Sequence, residues 1–267
     1  IAHLDIDISE INKVKAVDWN HVGMLQEALQ SLLDFGKKYG VAKDFSAWHK
    51  HIAELKDVYA LNYDRDSELI QPYYVIEQIN ELTRGEAIIA TGVGQHQMWA
   101  SQFWGFERPH TWINSGGLGT MGYAVPAAVG AQAGMPDETV IAIDGDGCFQ
   151  MTFQELITAA VEEIPVKIAV MNNANLGMVR QWQKLFYDNR FAATELSATN
   201  PDIVLLAEAL GCVGLRASTP SEVRSTIEKG LAVTDKPVVM EFVCDPDAMV
   251  FPMIKAGGNN DIIYMGP

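Results

Sequence analysis

The chain has 267 residues, 48% of them hydrophobic and 20% charged, with a formal net charge of −15. That is the composition of a soluble globular protein; an acidic balance without basic runs argues against nucleic acid, and no apolar stretch approaches the roughly 20 residues that span a bilayer. Three widely spaced cysteines, Cys148, Cys212 and Cys244, argue against a disulfide scaffold or a zinc cluster and point to reduced thiols in a cytoplasmic protein.

Residues 1–8 alternate apolar and acidic side chains, a strand pattern that opens without Met, as a piece of a longer protein would. A short turn at Ser9 follows, then helical periodicity over 24–39 and 44–58 and a charged, irregular stretch over 62–70. From Gln71 the pattern becomes regular. A helix is predicted over 72–83, a strand over 86–91 and a glycine-rich turn over 116–122 that runs into an alanine-rich helix. Strands over 139–144 and 166–171 are each followed by a helix, over 152–163 and 178–186. A helix over 203–210, a short strand, a helix over 222–233 and a strand over 238–243 complete the series. Alternating strands and helices imply an α/β fold, a doubly wound parallel sheet with helices on both faces. Ligands of such a sheet sit at the carboxyl ends of its strands.

Two short motifs stand at those ends. Gly145-Asp146-Gly147 follows one predicted strand, and Asn172-Asn173 follows the next, with 24 residues between the motifs. A carboxylate and a carboxamide delivered to one sheet edge, with the Asn175 carbonyl close by, form a hard oxygen set suited to a magnesium ion that grips a diphosphate. Each pair by itself also reads as a plain turn. The run from Gly117 to Gly122 fits G-x-G-x-x-G, with Asp144 further on as a ribose-binding acid, which would make a nicotinamide-dependent dehydrogenase. That reading leaves Asn172 and Asn173 unexplained. Gln95 and His96 stand where donors would meet a phosphate tail, or where they would cap the next helix. Met178 and Trp182, four apart, share a helix face that serves either core packing or a site wall.

The strings around these residues resemble the catalytic (large) subunits of acetohydroxyacid synthase, also called acetolactate synthase, a thiamine diphosphate enzyme family. The resemblance rests on residues 92–99, 115–123 and 176–183, together with Asp146 and Asn173, and it runs over most of the chain. It implies that residues 1–35 are a remnant of the family's middle, FAD-associated domain, 36–70 a linker with helices, and 71–267 the magnesium–thiamine diphosphate domain. It implies Asp146, Asn173 and Asn175 as the metal ligands. Val93, Gly94, Gln95, His96, Gly119, Met121, Gly145, Asp146, Gly147, Cys148, Asn173, Asn175, Gly177 and Met178 are the implied cofactor contacts. Cys148 departs from the family's usual Ser or Ala. Met121, Met178 and Trp182 are the implied catalytic-site residues: Met121 as the wedge that bends the cofactor, and Trp182 in the substrate channel.

The implied reaction decarboxylates pyruvate and transfers the two-carbon unit to a second 2-ketoacid, pyruvate or 2-ketobutyrate, in branched-chain amino-acid synthesis. Thiamine diphosphate and Mg2+ are the implied cofactors, with FAD in the full-length protein. A homo-oligomer, dimer or tetramer, and a regulatory small subunit are the implied partners, with no membrane or nucleic acid. The family's activating glutamate comes from an amino-terminal domain absent here, so the fragment alone is expected to be inactive. Pyruvate oxidase, decarboxylase and glyoxylate carboligase are the alternatives within the thiamine diphosphate enzymes. Whether the terminal stretch 257–267 orders over the site is left open.

Overall fold

The computed structural model describes residues 1–254, 257–259 and 263–266. The chain divides into two compact units, 1–60 and 61–267.

In the first unit, β1 (Ala2–Asp5) pairs in parallel with β2 (Trp19–Val22). The strand expected over 1–8 stops at Asp5 because the acidic side chains turn back on the backbone. Asp7 N–H donates to Asp5 Oδ1 at 2.9 Å and Ser9 N–H to Asp7 Oδ1 at 2.8 Å, which starts a single 3-10 turn over Ile8–Glu10. Such local bonds compete with strand pairing. Two helices follow, α1 (Leu25–Tyr39) and α2 (Ser46–Val58). Gly40 closes α1 in the left-handed region, the conformation that favours glycine at a helix end.

The second unit carries the sheet. Its elements run α3 (Pro72–Thr83), β3 (Ile88–Thr91), α4 (Gln95–Phe103), β4 (Trp112–Asn114), α5 (Ala124–Gly134), β5 (Val140–Gly145), α6 (Asp146–Thr152), α7 (Leu156–Val161), β6 (Lys167–Asn172), α8 (Gly177–Phe186), α9 (Ile203–Ala209), β7 (Val213–Ala217), α10 (Pro220–Ala232) and β8 (Val238–Val243). The six strands are all parallel, in the order β4-β3-β5-β6-β8-β7.

Side-chain alternation sorts the core into two halves. Ile141 and Ile143 of β5, Ala169 and Met171 of β6, and Met240 and Phe242 of β8 pack on one face, against Val75, Ile76 and Ile79 of α3, Trp99 of α4 and Ile227 of α10. Val140, Ala142, Ile168, Val170 and Val239 point the other way, against Val125 and Ala128 of α5, Leu156 and Ala159 of α7, and Ile203 of α9. A strand buried on both faces reads as a continuous apolar run, which is what 140–143 and 168–171 are. Each large side chain so buried contributes about 1.5–3 kcal/mol. Lys167 is the exception inside β6: its Nζ donates to the carbonyls of Pro165 and Val233, and burial pushes the amine down to about 8.

Four local expectations change. The helix expected over 152–163 begins at Asp146, directly after β5, and breaks at a 3-10 turn over Phe153–Glu155 before α7. Gly145 to Gly147 therefore form a strand-to-helix junction, and an acid in a first helical turn is favoured by the helix dipole. Residues 111–115, too poor for a long strand, supply the three-residue edge strand β4 beside β3. β2 had no counterpart in the sequence reading. Residues 61–70 join the sheet unit: Ile70 is fully buried and bridges Cys244, and Tyr63 stacks on Tyr73. Near the terminus, Met253 and Tyr264 exchange backbone hydrogen bonds of 2.8 and 2.7 Å; the rest of 257–267 lies partly outside the described residues.

Candidate functional site

After β3 the chain runs out to β4 on one side, then returns to lay β5 on the other side of β3. That reversal opens a crevice at the carboxyl ends of β3 and β5, where ligands of open α/β sheets bind. A narrow cleft of about 60 Å3 lies there. The segment after β3 lines it with Val93, Gly94, Gln95 and His96, the segment from the end of β5 with Gly145, Asp146, Gly147 and Cys148, and the segment after β6 with Asn173, Asn175, Gly177 and Met178. Met121, from the turn before α5, lines it too. Gly119 stands just behind this lining; a Cβ on it would lie 3.9 Å from Val93 Cγ1. Trp182 sits one turn further along α8, in an adjoining open depression that shares Met178 and Val179 with the cleft.

Asp146 is buried at the start of α6, and its Oδ2 accepts a hydrogen bond from Asn200 Nδ2 at 2.7 Å. Burial, the largest influence, pushes its carboxyl up to about 6, and the Asn200 hydrogen bond opposes that rise. The two consecutive asparagines have different duties. Asn172 Oδ1 accepts from Ala174 N–H at 3.0 Å, and Asn172 Nδ2 donates to Glu241 Oε1 at 2.6 Å. The first bond forms a local turn that holds Ala174 at φ +54. Asn173 belongs to the cleft. Its Nδ2 donates to Gln95 Oε1 at 3.1 Å, and its Oδ1 accepts from Asn175 N–H at 3.2 Å. The bridge between Asn175 and Glu195 runs through the carbonyls of Ala174 and Thr194, so the Asn175 carbonyl is not used in it.

Gln95 is held firmly. Its Nε2 donates to Gln181 Oε1 at 2.8 Å and to the Ala248 carbonyl at 3.0 Å, and Gln181 in turn exchanges hydrogen bonds with both backbone groups of Val250. With both amide hydrogens committed, Gln95 opens α4 at the wall of the cleft and orients Asn173 through its side-chain carbonyl. Gly177 makes room for this pair: a Cβ there would lie 2.0 Å from Gln95 Oε1 and 2.8 Å from Asn173 Nδ2. Gly177→Ala is therefore expected to destabilise the fold by about 1–3 kcal/mol, read as a lower urea midpoint with an unchanged slope. A wild-type midpoint would mean that the Gln95–Asn173 contact shifts freely.

Beneath the cleft lies a buried cluster. His96 Nε2 is 3.4 Å from Asp144 Oδ1, and Cys148 Sγ donates to the Val93 carbonyl at 3.1 Å. A Cβ on Gly92 would lie 2.0 Å from Asp144 Oδ1, so only glycine lets β3 close over this cluster. Among the described residues these three side chains form a group whose ligand atoms lie within 4.8 Å of one another. Burial pushes the Asp144 carboxyl up to about 8, the His96 ring down to about 3 and the Cys148 thiol up to about 12. All three are thus driven toward neutrality, which suits a buried neutral cluster better than a cation site, although His96 Nε2 and Asp144 Oδ2 make no hydrogen bond there. The dehydrogenase reading needs Asp144 free to meet a ribose; Asp144 has no exposed surface at all.

Sequence reasoning missed Asn200, Gln181 and Glu241. Asn200 reaches Asp146 across 54 residues and Glu241 reaches Asn172 across 69. Neither pair follows a strand or helix period, so no local signal marks them.

The pattern of the family "Thiamine pyrophosphate enzyme, C-terminal TPP binding domain" matches residues 92–242, more than half of the chain. The chain belongs to the thiamine pyrophosphate enzymes. The match begins directly after β3 and ends in β8, so it contains β5, β6 and every residue that lines the cleft of this thiamine pyrophosphate enzyme. The acetolactate synthase large subunit of Corynebacterium glutamicum is 52% identical over 270 residues, which is 99% of this chain and 43% of that protein. An acetolactate synthase of Mycobacterium leprae is 47% identical over 98% of this chain and 43% of its own length. A chloroplastic acetolactate synthase of Nicotiana tabacum is 42% identical over 100% and 41%. The chain thus spans about two fifths of the length of the curated relatives it matches. Among the described residues, no helix is long and apolar enough to cross a membrane.

Proposed function

We propose that this chain is the cofactor-diphosphate part of an acetohydroxyacid synthase large subunit. The observation that carries the proposal is the convergence of Asp146 and Asn173, from two neighbouring parallel strands, with Asn175 on one cleft. Asp146, the Asn173 amide oxygen and the Asn175 carbonyl would hold Mg2+. Three hard oxygens fit that ion and leave positions for two phosphate oxygens and a water. The fit is supported by the donor set itself, since Asp146, Asn173 and Asn175 all line one cleft and bring a carboxylate and amide oxygens to it.

When bound, thiamine diphosphate supplies the electron sink for breaking a 2-ketoacid's carboxylate bond. The protein's part is orientation. The Gln95 and His96 backbone N–H groups open α4 toward the cleft, where an anionic tail is favoured. Met121 would support the bend of the cofactor, with Gly119 beside it. Met178, at the junction of the cleft and the depression, and Trp182 would line the path of pyruvate and of a second ketoacid, 2-ketobutyrate or pyruvate. Residues 1–35 would be the remnant of an FAD-associated domain, 36–70 a linker and 71–267 the cofactor domain; the change of compact unit at residue 60 falls within that linker. FAD, a homo-oligomer, a regulatory small subunit and a cytoplasmic setting belong to the same proposal.

Calorimetric titration of the chain with thiamine diphosphate, with Mg2+ and with EDTA, tests it. Saturable binding is expected with Mg2+ and loss of binding with EDTA. Binding indifferent to EDTA, or no heat under either condition, would count against the cation site. Turnover of pyruvate with 2-ketobutyrate into acetohydroxybutyrate is expected only after an amino-terminal part is supplied.

A further inference from the structure

We propose that Asn200 is a positioning residue that fixes the metal-binding orientation of the Asp146 carboxylate. The inference rests on the reading of Asp146 as a cation ligand. A carboxylate that ligates a cation through one oxygen needs a donor on the other, or its plane swings about χ2. Asn200 supplies that donor, through the 2.7 Å bond from its Nδ2 to Asp146 Oδ2.

Asn200 is itself fixed on every side. Its second amide hydrogen faces Asn172 Oδ1 at 3.3 Å, and its Oδ1 accepts from Gln150 Nε2 at 2.7 Å. Gln150 also donates to the Asp146 carbonyl at 3.2 Å, so one side chain ties both the backbone of Asp146 and the amide that orients its carboxylate. Because Gln150 donates and Asp146 accepts, the amide of Asn200 has one satisfied orientation. The Asn200 backbone N–H donates to the Leu196 carbonyl at 2.8 Å, closing the turn that presents the side chain.

The support continues to the far side of the sheet. Asn172 Nδ2 donates to the buried Glu241 Oε1, and Arg216 Nε donates to Glu241 Oε2 at 2.6 Å. Arg216 Nη2 also donates to Asp202 Oδ1 at 2.8 Å, and that carboxylate caps α9. A chain of hydrogen bonds thus runs from a helix cap, through the ion pairs of Arg216 and the amides of Asn172 and Asn200, to the proposed ligand. It gives Asn172, whose side chain bonds Ala174, Glu241 and Asn200, a place in the site as the brace behind Asn200. Outer-shell partners that orient ligating carboxylates and imidazoles act in this way.

The test uses Mn2+ as the probe ion, bound in the presence of thiamine diphosphate and followed by electron paramagnetic resonance. Asn200→Ala is expected to weaken Mn2+ binding about 10–100-fold and to broaden the bound-ion spectrum, while the melting temperature of the metal-free chain stays at the wild-type value. Asn200→Asp keeps the shape, loses the donor and adds a like charge, so its loss of Mn2+ affinity is expected to be larger. If Asn200→Ala folds poorly, the near-isosteric Asn200→Asp carries the comparison. Wild-type chain that fails to bind Mn2+ would overturn the cation site itself, and the inference with it. Wild-type binding with unchanged affinity and spectrum in both variants would overturn the role of Asn200 alone. So would a metal-free melting temperature that falls in both variants in step with affinity, which would mark a structural role.

Discussion

Asp146→Ala is expected to abolish Mg2+-dependent binding of thiamine diphosphate, lowering affinity by more than about a hundredfold, since loss of a ligand exceeds the loss seen for its outer-shell partners. No other described carboxylate lines the cleft, so nothing takes its place. Asp146→Asn separates charge from shape. It is expected to lose most of the cation affinity and yet to make the metal-free chain more stable at neutral pH. The reason is that the folded chain keeps Asp146 in a buried setting that disfavours its charge, and the amide removes that burden while still accepting from Asn200. The gain at about pH 8 is on the order of 3 kcal/mol, from about two pH units at about 1.4 kcal/mol each. Calorimetric titration and urea unfolding of the two variants check both halves. Full-strength cofactor binding by Asp146→Ala would end the assignment.

Between about pH 4 and pH 8 the metal-free chain is expected to lose stability as pH rises. Asp146 governs the lower part. Its carboxyl is raised from 3.8 to about 6, so across that window the folded chain holds a proton that the unfolded chain has released. Its contribution is fully present below 3.8 and is lost as pH rises through about 6. The pair of Asp144 and His96 governs the upper part. With Asp144 raised to about 8 and His96 lowered to about 3, the folded pair carries one proton throughout that range, whichever partner holds it. The unfolded chain also carries one between the ordinary values of 3.8 and 6.5, so the pair adds no slope there. Above 6.5 the unfolded histidine releases its proton and the folded pair does not, until about 8. Stability therefore falls over that interval by about 2 kcal/mol.

Below about 4 the sign reverses, because the unfolded pair takes up a second proton first. Glu138, held low by its hydrogen bonds with Arg108, acts in the same acid range and the same direction. Urea unfolding at several pH values between 4 and 8 reads these windows. Asp144→Asn is the decisive variant. It leaves His96 alone, a buried neutral ring whose contribution is lost as pH falls below 6.5. The decline between 6.5 and 8 should vanish and a decline below 6.5 should appear; an unchanged slope above 6.5 would refute the pairing.

The parts of this architecture that were legible in the sequence are those set by local periodicity. Runs such as 140–143 and 168–171 are apolar on both faces, and only a strand covered on both sides has that pattern. Asp146 and Asn173 were legible because each follows such a run at once, and a motif at a strand end inherits the strand's position. The start of α6 was not legible, because Gly145, Asp146 and Gly147 favour a turn by composition, and the burial of Cys148 and Phe149 decides the helix instead. Edge strand β4 is three residues long, shorter than any period can mark. The supports of the site were hidden for a different reason. Asn200, Gln181 and Glu241 act across the sheet through side chains whose partners are far away in sequence. Asp144 stands in the sequence where a ribose-binding acid would, and the packing of Gly92 over it makes it a buried neighbour of His96.

The bond from Gln95 through Gln181 to Val250 has a practical consequence for protein engineering. An insertion placed between Ala248 and Val250 displaces a segment that is two side chains away from the cleft. Loop grafts in that segment are therefore to be avoided in any redesigned version, because the carbonyls of Ala248 and Val250 hold the amides of Gln95 and Gln181 in place.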